Sequence, residues 1–248
     1  MSLERNILRK ILSYVRRAVD DYNMINEGDR IAVGVSGGKD SMLLLYALKE
    51  LQRFYPKKFD LMGITLDMGF EGFNPKEVLN FCKKHEIEYE VVKTDIKEIV
   101  FDIRKETNPC SLCSKMRRGA LNEAAKSRGY NKVALGHHND DVIETFFLCL
   151  LYEGKIGCFS PVTHLDRIDI HQIRPLIYAH EHEVKSVVER LSLPVIKSTC
   201  PADGETKRQD VKELILKLNR DFEGSRERIF GALIRSGIDG WSINKKEI

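Results

Sequence analysis

A glycine-rich loop of six residues, placed between an apolar strand and an apolar helix, is the feature that most constrains the fold of this chain. The run 30–35 before the loop predicts a short buried strand, and residues 40–54 predict the helix. Two glycines allow a tight turn that points backbone N–H groups at an anion, which the positive end of the following helix also faces. The sequence therefore predicts a phosphate-binding loop formed by Ser36, Gly37, Gly38, Lys39, Asp40 and Ser41.

Two familiar classes of phosphate loop do not fit this hexapeptide. The dinucleotide fingerprint requires the spacing G-x-G-x-x-G, which is absent here. A Walker A loop requires a glycine five residues before Gly38 and Ser or Thr after the lysine, where this chain has Val33 and Asp40. Asp40 is instead a candidate ligand of a metal ion or its water, or an acid that stabilises the helix N-terminus.

Strands and helices alternate along most of the chain. Beyond the first pair, the pattern predicts strands at 59–66, 89–92, 132–135 and 168–173, and helices at 75–85, 96–104, 115–128, 140–152 and 181–191. This alternation is typical of a parallel sheet covered on both faces. We therefore predict an α/β fold, a doubly wound parallel sheet of about five strands with helices on both faces. The single domain, 1–248, is expected to comprise an N-terminal helix (1–25), an α/β core (26–200) and a helical basic tail (201–248).

The composition leaves the partner open and favours a cytoplasmic protein. The 248 residues include 40 basic and 37 acidic side chains, so a formal net charge of +3 indicates no partner by itself. No apolar run predicts a membrane span, and the N-terminal segment lacks the features of a signal peptide. In a reducing compartment the six cysteines are not expected to form disulfides, and Cys82 and Cys149 are predicted to be buried.

A second candidate element follows the predicted strand 132–135. It begins with Gly136, His137 and His138 and places Asp140 and Asp141 at the start of a helix. The two acids suit either the capping of that helix or a ligand at the carboxyl edge of the sheet. The adjacent histidines project in different directions, which disfavours a shared zinc ion.

Three cysteines form the third candidate element. Cys110 and Cys113 make a C-x-x-C pair ahead of the predicted basic helix 114–128, and Cys200 lies 87 residues beyond Cys113. The pair alone fits redox, zinc and cluster chemistry. A structural zinc ion, the less favoured occupant, wants four ligands, whereas three thiolates with an open position suit a [4Fe–4S] cluster. Cys158 is an alternative fourth ligand, although its position is more typical of a loop or core cysteine.

These elements resemble a known family. The hexapeptide 36–41 matches the pyrophosphate-loop (PP-loop) signature of N-type ATP pyrophosphatases, and residues 136–145 match their G-H-H-x-D-D-x-x-E-T element. Further segments are similar to the tRNA 2-thiocytidine synthetases: the cysteine pair with residues 114–119, LYEGK at 151–155, IRPL at 173–176, and the late Cys200.

The resemblance implies a nucleotide site. ATP is split between its α and β phosphates, the loop holds the pyrophosphate, and Mg²⁺ neutralises the phosphates. Gly136 and His137 then approach the nucleotide, and Asp141 assists Mg²⁺ or the adenylated intermediate. The adenine is expected against the backbone at the end of the second strand, at Thr65, Leu66 and Asp67.

The resemblance also implies the reaction. The C2 oxygen of a tRNA cytidine, in the anticodon loop, is adenylated and replaced with sulfur delivered through a [4Fe–4S] cluster held by Cys110, Cys113 and Cys200. The residues expected to act in catalysis are Lys39, Asp40, Asp141, Cys113 and Cys200. The expected partners are tRNA, a sulfur donor such as a cysteine desulfurase or free sulfide, and a second copy of the chain in a homodimer.

Three alternatives stay open at this point. The first is the same chemistry on a uridine. The second is a lysidine-type synthetase, which adenylates cytidine but uses lysine as the nucleophile, so that it has no use for the three cysteines. The third is a metal-stabilised RNA-binding module with a vestigial ATP site, which the intact loop disfavours.

Contacts with RNA phosphates are expected from two clusters of basic residues, whose affinity for RNA would fall with salt. One cluster lies near the cysteine pair and comprises Arg117, Arg118, Lys126, Arg128 and Lys132. The other lies in the tail and comprises Lys207, Arg208, Lys212, Lys217 and Arg220.

Overall fold

Six strands form one sheet, and their order reverses beside the first strand. The computed structural model describes residues 3–104, 109–196 and 207–243. The strands are Asp29–Gly34 (β1), Phe59–Asp67 (β2), Glu88–Lys93 (β3), Lys132–Ala134 (β4), Val162–Leu165 (β5) and Ile170–Ile173 (β6). They lie in the order β3-β2-β1-β4-β6-β5, so the chain leaves β1 towards one edge and later returns to its other side at β4.

Helices connect the strands and extend the chain at both ends. The α-helices are Leu3–Asp21 (α1), Lys39–Leu51 (α2), Lys76–Lys84 (α3), Pro109–Ser127 (α4), Asn139–Tyr152 (α5), Glu181–Arg190 (α6), Lys207–Asp221 (α7) and Ser225–Ser236 (α8). A π-helical turn spans Glu98–Ile103, and a 3₁₀ turn spans Ile238–Gly240. No helix in the described ranges is both long and apolar enough to cross a membrane.

The predicted α/β fold is confirmed, with one strand more than expected. Neighbouring strands are parallel except for β5, which pairs antiparallel with β6 at the edge of the sheet. The sequence did not predict β5 because this short edge strand is only partly buried and shows no hydrophobic alternation. The predicted strand 168–173 begins only at Ile170, because Asp169 has a left-handed turn conformation with φ of 49°.

Alternate residues of β1 face two separate hydrophobic layers. Ile31 and Val33 pack in the large cluster formed with α1, α2 and α6, whereas Ala32 packs with α4 residues such as Leu121 and Ala125. This period of two is what a strand buried on both faces produces. The sheet is therefore covered on both sides, and its free polar groups are available mainly at the strand ends.

The C-terminal helices pack on the rest of the domain. Val211 and Ile215 of α7 are buried against Ile143 of α5, and Leu233 of α8 and Trp241 belong to the main core. Trp241 is fully buried and donates a hydrogen bond from Nε1 to the Phe159 carbonyl oxygen at 2.9 Å. The packing of α7 against α5 brings its basic side chains to the carboxyl edge of the sheet.

Candidate active site at the strand-order reversal

The predicted phosphate loop joins the end of β1 to the start of α2. Parallel sheets bind ligands at the carboxyl ends of their strands, where the strand order reverses, and β1 and β4 are the two strands at this reversal. Gly37 has φ of +81°, and a Cβ atom there would lie 2.8 Å from the Ile196 Cβ atom. Only glycine fits both the conformation and the close approach.

Two serines fold the loop onto itself. The Ser41 hydroxyl donates to the Gly38 carbonyl oxygen at 2.9 Å and accepts from the Ser36 backbone N–H at 3.2 Å. The Ser36 hydroxyl accepts from the Gly38 N–H at 3.3 Å. No side chain caps the N-terminus of α2. Its first N–H groups, which have no acceptors within the helix, therefore suit an anion at the loop.

Lys39 is held beside the loop by two carboxylates. Its Nζ atom lies 3.0 Å from Asp40 Oδ2 and 3.1 Å from Glu181 Oε1, at the start of α6. Burial alone would lower the pKa of Lys39, but the charges of Asp40 and Glu181 outweigh it and raise the pKa above its ordinary value. The loop lysine is thus a fixed positive charge.

Gly136, at the end of β4, packs against the first turn of α2. A Cβ atom at this position would lie 3.0 Å from the Asp40 carbonyl carbon and 3.1 Å from the Ser41 backbone nitrogen. The glycine therefore allows the second motif to approach the phosphate loop closely. The sequence predicted that Gly136 approaches the nucleotide, and the structure places it against the loop that would hold the nucleotide.

The residues after Gly136 organise the start of α5. The Asp141 carboxylate accepts from the His138 backbone N–H at 2.9 Å. Asp140 is buried, accepts from the Glu181 N–H at 2.7 Å and pairs with Arg226 of α8. Burial, and next the charge of Arg174, lower the pKa of His137 to about 4, so its imidazole is neutral at neutral pH.

A series of charged side chains extends from Lys39 to Asp141 across α5, α6 and α7. Neighbouring members lie between 2.9 and 3.7 Å apart. In order, the series is Lys39, Glu181, Lys212, Glu144, Arg208 and Asp141. We call it the charge series. It brings the start of α7 into contact with the acids of the second motif.

Glu144 and Glu181 are members of this series that sequence reasoning did not single out. Glu144 is buried, and burial raises its pKa even though Lys212 and Arg208 oppose the shift. A signal was present, because Asp141 and Glu144 lie three apart and Arg208 and Lys212 four apart, spacings that share one helix face. The position of Glu181 depends on tertiary packing, for which the sequence carried no comparable signal.

The end of β2 offers an open backbone edge beside the loop. The Ile64 carbonyl oxygen accepts from the Val35 N–H at 2.8 Å, after which β1 has ended. Because strand residues alternate, the peptide groups of Leu66 face the same side, beyond the end of β1. Thr65 and Asp67 face β3 instead, where Asp67 O accepts from the Thr94 N–H at 2.9 Å. The Leu66 backbone therefore faces the side of the phosphate loop, and its contact with adenine stays a prediction.

Thr65 fixes this edge with its side chain. Its hydroxyl donates to the Val35 carbonyl oxygen at 2.8 Å and accepts from the Tyr89 hydroxyl at 2.8 Å. The side chain therefore ties the last residue before the phosphate loop to the end of β2.

The sequence predicted that the cysteine pair precedes the basic helix, whereas both cysteines lie within α4. In the part of the chain that the structure describes, α4 runs from Pro109 to Ser127. Cys110 is exposed, and Cys113, one turn later, is buried beside Ile96 and Val100. Met68, which follows β2, packs on the same cluster, so the pair stands at the carboxyl edge of the sheet.

The other cysteines fall into two groups. Cys200 lies outside the described residues, and within them no cluster of three or more His, Cys, Asp or Glu side chains is arranged to hold a metal ion. Cys82 and Cys149 are buried, as predicted. The Cys158 thiol donates to the Val142 carbonyl oxygen at 3.3 Å, and burial raises its pKa to about 12, which disfavours a thiolate ligand.

Five basic residues predicted for an RNA surface are paired with acids within the protein. Lys126 pairs with Asp169, and Arg128 pairs with Glu90. Lys132 is buried, lies 2.6 Å from Asp29 and donates to the Met24 carbonyl oxygen. Arg208 and Lys212 contact the acids of the charge series. The expectation for Lys132 was wrong because the strand that carries it enters the core.

Comparison with known proteins places this chain among sulfur-transferring enzymes. A family profile described as a PP-loop domain matches residues 3–218. The chain is 40% identical over 227 residues to a tRNA-cytidine(32) 2-sulfurtransferase of Ralstonia pickettii, covering 90% of this chain and 72% of that protein. The protein of the same name from Geobacter metallireducens is 39% identical over 228 residues, covering 91% and 89% of the two chains.

A solved structure adds a second line of comparison. The U34-tRNA thiolase NcsA from Methanococcus maripaludis, determined with its [4Fe–4S] cluster, superposes with a TM-score of 0.78 at 27% identity, covering 94% of this chain and 79% of that one. The match of the family profile over most of the chain and the identity to curated relatives lead to one assignment. The chain belongs to the PP-loop family and, within it, to the family of tRNA-cytidine 2-sulfurtransferases.

Proposed function

We propose that this chain is an ATP-dependent tRNA sulfurtransferase that converts the C2 oxygen of a cytidine to sulfur. One observation carries the proposal: an intact phosphate loop and a cysteine pair lie at the same edge of the sheet in a chain about 40% identical to tRNA-cytidine(32) 2-sulfurtransferases. In this proposal the loop binds the ATP that activates the cytidine, and the cysteines form part of the site that binds sulfur. Position 32 of the tRNA is the site expected from the relatives' name.

The first step is adenylation of the cytidine. The C2 oxygen attacks the α-phosphorus of ATP, the bond to the β-phosphate breaks, and pyrophosphate leaves. The α2 N–H groups and Lys39 stabilise the charge of the leaving pyrophosphate. Asp40 and Asp141 are the proposed ligands of Mg²⁺, which proteins usually bind through one or two carboxylates together with substrate phosphates.

The second step replaces the activated oxygen. A sulfur nucleophile forms a bond to C2, the C2–oxygen bond breaks, and the oxygen leaves as part of AMP. Cys110 and Cys113 are three residues apart in α4, about one helical turn, and so fit two ligands of a [4Fe–4S] cluster. Cys200 is the proposed third ligand, and a cluster held by these three residues would supply a site that binds the sulfur.

The proposal extends to the surroundings of the enzyme. Sulfur is expected from a donor such as a cysteine desulfurase or free sulfide. We also propose a homodimer, a cytoplasmic location, and a single domain whose basic tail assists tRNA binding.

Pyrophosphate release tests the activation step. Purified enzyme with ATP and unmodified tRNA should release pyrophosphate, and Lys39→Ala should lower the rate at least tenfold, by analogy with the loss of a residue that stabilises developing charge. Release that is independent of tRNA, or equal in the variant, would contradict the assignment. Lys83→Ala removes an exposed lysine in the last turn of α3, which leads back to the amino edge of the sheet, and serves as the matched control.

Iron and sulfide analysis tests the cysteine site. After anaerobic purification, Cys110→Ala, Cys113→Ala and Cys200→Ala should each lose the cluster. Cys158→Ala should keep it, because its thiol is protonated and bonded to the Val142 carbonyl oxygen. A colourless protein that contains zinc would exclude the cluster.

A uridine target is the second candidate, because the solved structure with the TM-score of 0.78 is a U34-tRNA thiolase. Mass spectrometry of nucleosides from tRNA treated with the enzyme distinguishes the two. Formation of 2-thiocytidine supports the first candidate, and formation of 2-thiouridine alone replaces it with the second.

A further inference from the structure

A buried arginine stands beside the site without an acidic partner. Arg174 directly follows β6, and the residue is only 6% exposed to solvent. Its Nη1 atom donates to the Ser160 carbonyl oxygen at 2.6 Å and to the Thr163 hydroxyl at 3.1 Å, both neutral acceptors. The guanidinium lies 5.1 Å from the centre of the Phe159 ring. These contacts orient the guanidinium but do not neutralise it.

Elsewhere in the chain a buried cation has a counter-ion. Lys132, equally buried, lies 2.6 Å from the Asp29 carboxylate. No carboxylate among the described residues pairs with Arg174, and its Nε atom is buried without a hydrogen-bond acceptor in that part of the chain. Because an unpaired buried charge and an unsatisfied donor are both unfavourable, this group needs an explanation.

Two further polar groups act on Arg174 or on its aromatic neighbour Phe159. His137 packs against the other contact of Arg174, with its ring 4.8 Å from that of Phe159, and its Nδ1 atom is buried without a partner in the described structure. A neutral imidazole can donate one hydrogen bond. Arg118, exposed on α4, lies close enough for its charge to lower the pKa of Arg174, after the larger effect of burial. Arg174 and His137 thus contact the same Phe159 ring, and neither is paired with a carboxylate among the described residues.

We propose that Arg174, with His137 beside it, forms a phosphate-binding subsite for the RNA backbone next to the nucleotide that is modified. A guanidinium presents paired donors that match two oxygens of a phosphate. Contacts of this kind position a nucleic acid without reading its sequence. This inference rests on the proposed function and identifies the substrate side of the same site.

The position of Arg174 favours an RNA phosphate over the phosphates of ATP. The proposed nucleotide site extends from the loop at β1 to the Leu66 backbone at β2, away from β6. Arg174 lies on the opposite side at β6, two strand spacings or about 10 Å from β1. Arg118 also stands on the helix that carries the cysteine pair, which a target nucleotide must reach after adenylation.

Binding of unmodified tRNA by the full chain, measured over a series of salt concentrations, tests the subsite. Arg174→Met should weaken binding about 10- to 100-fold, the range for a charge-assisted hydrogen-bonded contact. The slope of log affinity against log salt should fall by about 0.7–0.9, corresponding to one phosphate contact. Arg174→Lys should keep part of the salt slope, because it keeps the positive charge. It should still lose affinity for tRNA, because lysine lacks the paired N–H donors of the guanidinium. ATP affinity should be unchanged in both variants.

The matched control is Arg30→Met. Arg30 also lies over an aromatic ring, 4.5 Å from the centre of Tyr130, but it stands at the opposite, amino-terminal edge of the sheet. Its removal should leave the affinity and the salt slope as in the wild type. If Arg174→Met does not fold, Arg174→Lys provides the comparison.

Three outcomes overturn the subsite. A folded variant with unchanged tRNA affinity and salt slope shows that Arg174 only ties β5 to β6. A loss of ATP affinity with unchanged tRNA binding moves the phosphate to the nucleotide and rejects the RNA source. A wild-type chain that binds no tRNA rejects the subsite and the proposed function together. If the wild type releases pyrophosphate in a tRNA-dependent way and Arg174→Met is unaffected, the subsite alone is rejected.

Discussion

An alanine at position 136 would place a methyl group against the first turn of α2. Its Cβ atom would lie 3.0 Å from the Asp40 carbonyl carbon, 3.1 Å from the Ser41 nitrogen and 3.2 Å from the Asp40 oxygen. All three are backbone atoms, so α2 and the loop must move by a few tenths of an ångström. Overpacking of this kind costs about 1–3 kcal/mol. Gly136 has no left-handed φ, so this contact is the main cost of the substitution.

The expected result is a loss of ATP binding larger than the loss of fold. When this strain falls on the phosphate loop, Gly136→Ala should lower the affinity for ATP about 5- to 150-fold, as measured by isothermal titration calorimetry. The matched control is Gly231→Ala in α8, where the Cβ would meet only the flexible end of Arg235. Wild-type ATP affinity and an unchanged free energy of unfolding in Gly136→Ala would refute the argument from this contact. An equal loss in Gly231→Ala would show that the effect is not specific to the loop.

Two further predictions concern stability. Asp29→Ala should lower the free energy of unfolding in urea by about 3–5 kcal/mol, because it leaves Lys132 buried and unpaired. Asp60→Ala, which removes only the exposed partner of Arg30, should change it by less than about 1 kcal/mol, and equal losses would contradict the reasoning. Burial raises the pKa of Glu181, but Lys39 and Lys212 outweigh it and lower the pKa to about 2, below the ordinary 4.5. The stability from Glu181 is therefore present above pH 4.5 and is lost as the pH falls towards 2. Glu181→Gln should flatten the pH profile of urea stability in that window, and an identical profile would refute this contribution.

The sheet and its central loop were predictable because local signals agreed with the tertiary structure. A buried strand, two glycines and an apolar helix specify a phosphate loop without knowledge of the rest of the chain. The edge strand β5 lacks such a signal, since its residues are only partly buried. The sequence placed the start of this helix after the C-x-x-C pair, whereas α4 already includes Pro109 and both cysteines.

The partners of charged residues were the least predictable part of the site. Lys132 and Lys212 look alike in sequence, yet one enters the core beside Asp29 and the other contacts Glu181. Arg174 lies within a segment that the sequence singled out, but only the structure shows that it is buried without a carboxylate among the described residues. Such facts depend on contacts between residues far apart in the chain, which periodicity does not report.

The charge series also determines how variants of the site must be interpreted. Lys39 contacts Glu181, which also contacts Lys212, so the removal of one member changes the environment of the next. Lys39→Ala therefore changes ATP affinity in two ways. It removes a contact with the phosphates, and it leaves Glu181 with Lys212 as its remaining cation in the charge series. Coupled residues of this kind are separated only by a double-mutant cycle. If Lys39→Ala costs the same ATP affinity in the wild type and in Glu181→Gln, Glu181 plays no part in the loss, which then belongs to the phosphate contact and to Asp40. A smaller cost in Glu181→Gln assigns the difference to repulsion between the freed carboxylate and the phosphates.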